Sequence, residues 1–101
     1  MRIIAKGTLR DYWLKNPDCE FPLLDWYNTV NKIEWNNPNE VKISFGNASI
    51  VANNRVVFNI KGNSHRLATE IDYKFKIVFI KWIGSHKEYD QIDVTTIEYN
   101  G

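Results

Sequence analysis

One cysteine, Cys19, is all the thiol chemistry this chain has. No intramolecular disulfide can form, and a zinc site built from several thiolates is excluded. A small protein without such a staple fits a reducing compartment. Long apolar runs are missing as well: the longest, Ile77 to Ile80, falls far short of a membrane span. Near the N-terminus, Ile3-Ile4-Ala5 is too short for the apolar region of a signal peptide, so residence in the cytoplasm and no membrane partner are expected. The glycines form no phosphate-cradling loop, since Gly62-Asn63-Ser64 lacks the partner glycines. Without repeats, low-complexity stretches or a linker, the 101 residues are expected to form one domain, 1–101.

Net charge is also small, at +1, and does not by itself point to nucleic acid. Its distribution is more informative. Residues 1–54 carry six basic and six acidic side chains, which cancel. Residues 55–88 carry seven Lys/Arg against Glu70, Asp72 and Glu88, and also hold both histidines, His65 and His86. Such a field can attract a polyanion, and lysines on strand edges can equally serve to prevent aggregation. Arg55, Lys61 and Lys81 are the candidate RNA contacts within it.

The hydrophobic period divides the chain. Arg2 to Lys6 is a short strand, and Thr8 can cap a helix from Leu9 to Lys15 that Asn16-Pro17-Asp18 breaks. Leu23, Trp26, Tyr27, Val30 and Ile33 recur at steps of three and four, which predicts a helix over Pro22 to Trp35. Asn37-Pro38-Asn39-Glu40 has the form of a capped start for a third helix, running to Phe45 and ended by Gly46. The period then shortens. Strands are predicted over Ala48 to Ala52, Arg55 to Lys61, His65 to Ile71 and Phe75 to Ile83. Their turns fall at Asn53-Asn54, Gly62-Asn63 and Asp72-Tyr73-Lys74. The last strand is apolar on both faces and reads as a covered central strand. Ser85-His86-Lys87-Glu88 matches a capping box for a short helix to Ile92. Helices first, then an antiparallel meander and a terminal helix: this order predicts an α+β fold with the helices on one sheet face and the other face partly open.

On that open face a polar group collects. Hairpin pairing about the Asp72-Tyr73-Lys74 turn places Arg66 beside Ile80 and Lys81, close to the capped helix. The chemistry this suits is RNA transesterification. A base takes the 2′-hydroxyl proton, a cation stabilises the phosphorane, and an acid protonates the leaving 5′-oxygen. His86 can act as acid or base near neutral pH, and Arg66 can clamp a phosphate through two parallel hydrogen bonds. Lys87 can add charge, Tyr89 can stack on a base or donate a proton, and the helix start adds backbone N–H groups. Each has a structural alternative: capping for Glu88, core packing for Tyr89, simple exposure for His86, a salt bridge to Glu70 for Arg66. No metal is expected. The two histidines lie 21 residues apart without a third ligand at metal spacing, and Cys19 lies far from both in sequence.

The chain resembles the HigB-type toxins of bacterial type II toxin–antitoxin systems, a branch of the RelE superfamily. The resemblance is carried by Arg2-Ile3-Ile4, Thr8-Leu9-Arg10, Pro22-Leu23-Leu24-Asp25-Trp26-Tyr27 and Asn54-Arg55-Val56-Val57-Phe58-Asn59-Ile60. It continues through Gly62-Asn63 with Arg66-Leu67, and Phe79 to Gly84 leading into His86-Lys87-Glu88-Tyr89-Asp90. The pairing of the Arg66-Leu67 and His86-to-Asp90 motifs at this separation is the specific part. The resemblance implies a RelE-like fold and a cofactor-free, metal-independent endoribonuclease that cuts mRNA during translation on the ribosome. It implies catalytic roles for Arg66, His86 and Tyr89, with Lys87 beside them where the family more often has a small residue. His65 stands where a tyrosine is frequent, and strand alternation places it on the face opposite Arg66. The resemblance further implies a helix-turn-helix, HigA-like antitoxin, with DNA contacted only through the pair. A non-catalytic RNA- or ribosome-binding module is the alternative reading.

Overall fold

A computed structural model describes residues 1–98; the last three positions of the expected 1–101 domain lie outside them. The elements run β1 (Arg2–Ile4), α1 (Lys6–Lys15), a 3-10 turn (Pro17–Cys19), α2 (Glu20–Asn31), α3 (Pro38–Ser44), β2 (Ser49–Val51), β3 (Arg55–Ile60), β4 (His65–Asp72), β5 (Ile77–Ser85) and α4 (His86–Tyr89). The five strands form one sheet in the order β1-β5-β4-β3-β2. The meander from β2 to β5 is antiparallel, as expected. β1 joins β5 in parallel, with Arg2 opposite Ile77, because three helices separate it from the meander and return the chain in the same direction. The fold is α+β, with a mixed sheet.

Helix boundaries depart from the periodicity in ways local chemistry explains. Thr8 does not cap α1. The helix starts at Lys6 directly after β1, Ala5 is its extended N-cap, and Thr8 is buried in the first turn. α2 begins two residues before Pro22, which the first turn tolerates because its missing N–H has no partner there anyway. It ends at Asn31, so Ile33 and Trp35 pack from the following segment. At α3 the Asn37 side chain accepts from the Glu40 N–H (3.1 Å), but Glu40 reaches the N–H of Asn36 (2.8 Å), one residue upstream of a strict capping box.

Leu9, Leu23, Trp26 and Val30 meet the helix-side residues Val56, Phe58, Leu67, Ile71, Val78 and Ile80 in the core. Phe58 is its hub. The rings of Trp26 (5.3 Å), Phe45 (5.2 Å) and Trp35 (6.1 Å) all pack on it, at offset or edge geometries that aromatic quadrupoles favour. No helix among the described residues is long and apolar enough to cross a membrane.

Turn chemistry sets the register. Asn53 (φ 64°) and Asn54 (φ 59°) are left-handed, as two-residue hairpin turns require. In the next turn the left-handed residues are Lys61 and Gly62, one position earlier than expected. The β4–β5 turn runs on to Lys76, stabilised by the Asp72 carboxylate accepting from the N–H groups of Lys74 and Phe75. β5 therefore starts two residues late, and a bulge at Ala68/Thr69 slips the pairing once more. Arg66 ends up opposite Gly84 rather than Ile80 or Lys81, which brings it nearer to α4 than hairpin counting suggests.

The far sheet face is less open than expected, and β5 is not the covered central strand. β4 is the middle strand, and only Val78, Ile80 and Gly84 of β5 are buried. The segment after α4 crosses the middle of the far face. Asn53 donates to the Thr95 carbonyl (3.0 Å) and Arg55 to that of Val94 (3.2 Å). The end of the sheet that carries Arg66 remains accessible.

Candidate active site at the ends of β4 and β5

Arg66 is the second residue of β4 and faces away from the helices. Its Nη1 donates to the carbonyls of Asn63 (3.0 Å) and His65 (3.2 Å), and its Nη2 lies 2.9 Å from His86 Nδ1. A guanidinium has no acceptor, so Nδ1 accepts and the imidazole proton sits on Nε2. The fold thus brings together two expected residues that are 20 positions apart in sequence.

α4 is held by both partners of its expected capping box. Ser85 Oγ accepts from the Glu88 N–H (3.1 Å), and Glu88 accepts from the Ser85 N–H (2.9 Å). That backbone donor, followed by the Ser85 side chain, holds the Glu88 carboxyl below its ordinary range. The His86 N–H donates to Ser64 O (2.9 Å), tying the helix to the β3–β4 turn. The amides of Ser85, His86 and Glu88 are therefore committed to the fold and are not free to hold a phosphate, and α4 is only one turn long, not extended to Ile92.

Beside Arg66 lies an aromatic pair. Gly84, directly opposite Arg66, leaves room for the Trp82 ring: a Cβ built there would sit 2.4 and 2.5 Å from two of its atoms. The indole therefore lies across the strand end, where its centroid is 6.2 Å from that of half-buried Tyr89. Lys87 is exposed on α4 and lines a shallow hollow of about 370 Å³ with Ser85, Glu88 and Gln91. A larger hollow, about 570 Å³ between Met1, Ile33 and Phe75, lies at the opposite end of β5 and contains none of these residues.

The three expected RNA contacts are scattered. Arg55 is turned away from solvent: it is 3 % exposed and donates to the carbonyls of Val94 and Ile97 and to Glu98 (2.8 Å), with Glu70 at 3.8 Å. Its guanidinium pins the segment after α4. Lys81 pairs with Glu98 (2.8 Å) on the same covered face. Lys61 is exposed in the β3–β4 turn and pairs with Asp18 (2.9 Å).

Sequence spacing missed a second cluster on the helix side of the same sheet end. His65 Nδ1 lies 2.7 Å from the Tyr12 hydroxyl, and its Nε2 lies 3.4 Å from Asp18 Oδ2. Burial, then the acidic neighbours Cys19, Glu88 and Asp18, push the Tyr12 phenol up to about 12, so Tyr12 donates to Nδ1 and Nε2–H faces Asp18. Cys19, far from both histidines in sequence, is fully buried within this cluster. Only the docking of the Pro17–Cys19 turn against the sheet end reveals that proximity. His65 does lie opposite Arg66, as alternation required.

A basic, aromatic-flanked site thus lies at the end of a mixed sheet backed by three helices. The family model of HigB_toxin, the RelE-like toxic component of a toxin-antitoxin system, matches residues 19–92, and the chain belongs to that family. It is similar to the mRNA interferase HigB of Escherichia coli O6:H1, 28% identical over 94 residues and 91% of each chain. It is also similar to the mRNA interferase toxin HigB of Escherichia coli K12, 27% identical over 92 residues, covering 89% of this chain and 88% of that one.

Proposed function

We propose that this chain is the toxin of a toxin–antitoxin pair and cuts mRNA by metal-independent transesterification during translation on the ribosome. The observation that carries this reading is the 2.9 Å contact between Arg66 and His86 at an accessible sheet end. The relatives named mRNA interferase HigB and mRNA interferase toxin HigB support it.

Arg66 is the phosphate clamp. Its fork is already oriented by two backbone carbonyls, and a bridging phosphate replaces His86 as the acceptor for Nη2. The 2′-hydroxyl loses its proton to a base, and the 2′-oxygen attacks phosphorus. The P–O5′ bond then breaks, and His86, protonated on the Nδ1 that the phosphate has freed from Arg66, gives its Nε2 proton to the departing oxygen. The products are a 2′,3′-cyclic phosphate and a 5′-hydroxyl. Trp82 and Tyr89 offer a stacking surface for a base beside the scissile phosphate, and Lys87 adds positive charge at the rim. His65 points to the opposite sheet face and takes no part. A helix-turn-helix, HigA-like antitoxin neutralises the toxin, and DNA is contacted through that complex.

Expression without an antitoxin tests the reading. Wild-type chain should arrest growth and generate new transcript ends. Arg66→Ala and His86→Ala should each relieve the arrest while circular dichroism shows the fold intact. Full toxicity in both variants defeats the site assignment, and RNA binding without cut ends favours a non-catalytic binding module.

A further inference from the structure

We propose that Asp18, Cys19 and His65 form a binding site for one thiophilic divalent cation of the zinc class, separate from the RNA-cleaving surface. One ligand atom from each residue lies within 4.8 Å of the others, and His65 Nε2 is already 3.4 Å from Asp18 Oδ2. Around a tetrahedral zinc, sulfur, nitrogen and oxygen ligands sit roughly 3.3–3.6 Å apart, so the cluster has to contract by at most roughly 1.5 Å. Cys19 supplies the independent pointer. Its side chain is wholly buried, has no hydrogen-bond partner among the described residues, and faces the cluster.

The surroundings suit a metal. Tyr12 oxygen on Nδ1 orients the imidazole so that Nε2 points into the cluster, and an oxygen on the far ring nitrogen is the usual outer partner of a metal-bound histidine. On binding, the His65 proton moves from Nε2 to Nδ1 and is donated to the Tyr12 oxygen, while the Cys19 thiol releases its proton. The net change is one proton lost to solvent. Asp18 is solvent-accessible, which leaves the fourth position to water. Lys61 is the competitor. Its ammonium holds Asp18 at 2.9 Å, but both side chains are about half exposed, and solvent-screened pairs of this kind are weak. A bound cation ties the Pro17–Cys19 turn to the first residue of β4, whose carbonyl also positions Arg66.

Cobalt(II) titration of the reduced, full-length chain tests this. Because Cys19 is the sole cysteine in the sequence, any thiolate-to-cobalt charge-transfer band reports that residue. The wild type should develop the band, saturate at one equivalent and lose it to added zinc. Cys19→Ser should abolish it. Tyr12→Phe should weaken binding roughly tenfold to a hundredfold. Lys61→Ala, a surface change that leaves the fold intact, should tighten it. No band in the wild type or in Lys61→Ala overturns the proposal, as does a band that persists in Cys19→Ser. Growth arrest by Cys19→Ser equal to wild type separates this site from the cleavage reading, which fails independently through Arg66 and His86.

Discussion

Replacing Gly84 by alanine probes how the strand end is built. The added Cβ would meet Trp82 ring carbons at 2.4 and 2.5 Å, whereas carbon atoms pack at about 3.5–4.0 Å. The indole must therefore retreat by at least about 1 Å. Overpacking of this kind costs about 1–3 kcal/mol. Trp82 is only half-buried and can move outward, which places the cost at about 1 kcal/mol, a Tm loss of roughly 4–8 °C for a domain of this size. The functional effect should exceed the stability effect, because the displaced indole leaves Tyr89 and crowds the approach to Arg66. Thermal unfolding and growth arrest measure the two. Trp82→Ala in the Gly84→Ala background should restore much of the lost stability, because it removes the clash, and that non-additivity identifies the contact. An unchanged Tm in Gly84→Ala, or strict additivity in the double variant, refutes the reasoning.

Ser85→Ala removes the α4 cap and should cost about 1 kcal/mol, read as a lower urea midpoint. The Glu88 carboxyl is held below its ordinary 4.5 by the Ser85 N–H. Its contribution is therefore complete above pH 4.5 and is lost as pH falls through the lower folded value. NMR of the Ser85 amide should show α4 loosening in acid, and Glu88→Gln should abolish that pH dependence; an identical acid profile in both proteins contradicts it. Arg55→Ala strips charged donors from the segment after α4 and should cost about 1.5–3 kcal/mol, with faster hydrogen exchange at residues 94–97. Unaltered exchange there means the segment does not depend on Arg55.

Local chemistry was legible in the sequence wherever one short stretch decides the outcome. The Ser85–Glu88 capping box, the Asn53-Asn54 turn and the Leu23–Trp26–Val30 stripe all formed as their residues require. What escaped depends on partners distant along the chain. Arg55 reads as a surface cation because its partners at Val94 and Glu98 lie 39 and 43 residues away. Cys19 meets His65 only through docking of the 3-10 turn on the sheet. The pairing of Arg66 with Gly84 turned on a long turn and one bulge, neither of which hydrophobic alternation records. The candidate pair itself was legible as an arginine near the start of β4 and a histidine just past the end of β5, but the direct contact, and with it the Nε2 proton of His86, depends on the tertiary fold.

The most direct measurement is the end chemistry of transcripts recovered from cells making the wild type, Arg66→Ala or His86→Ala. Wild-type chain should leave 5′-hydroxyl and cyclic-phosphate ends; His86→Ala should cut their yield by roughly 10²–10⁴-fold, the range typical of a lost acid or base, and Arg66→Ala by roughly 10²–10³-fold, that of a lost transition-state donor, with the protein still folded. Cut ends at wild-type yield in both variants, or 5′-phosphate ends in the wild type, would contradict the assignment of Arg66 and His86 as the cleaving pair.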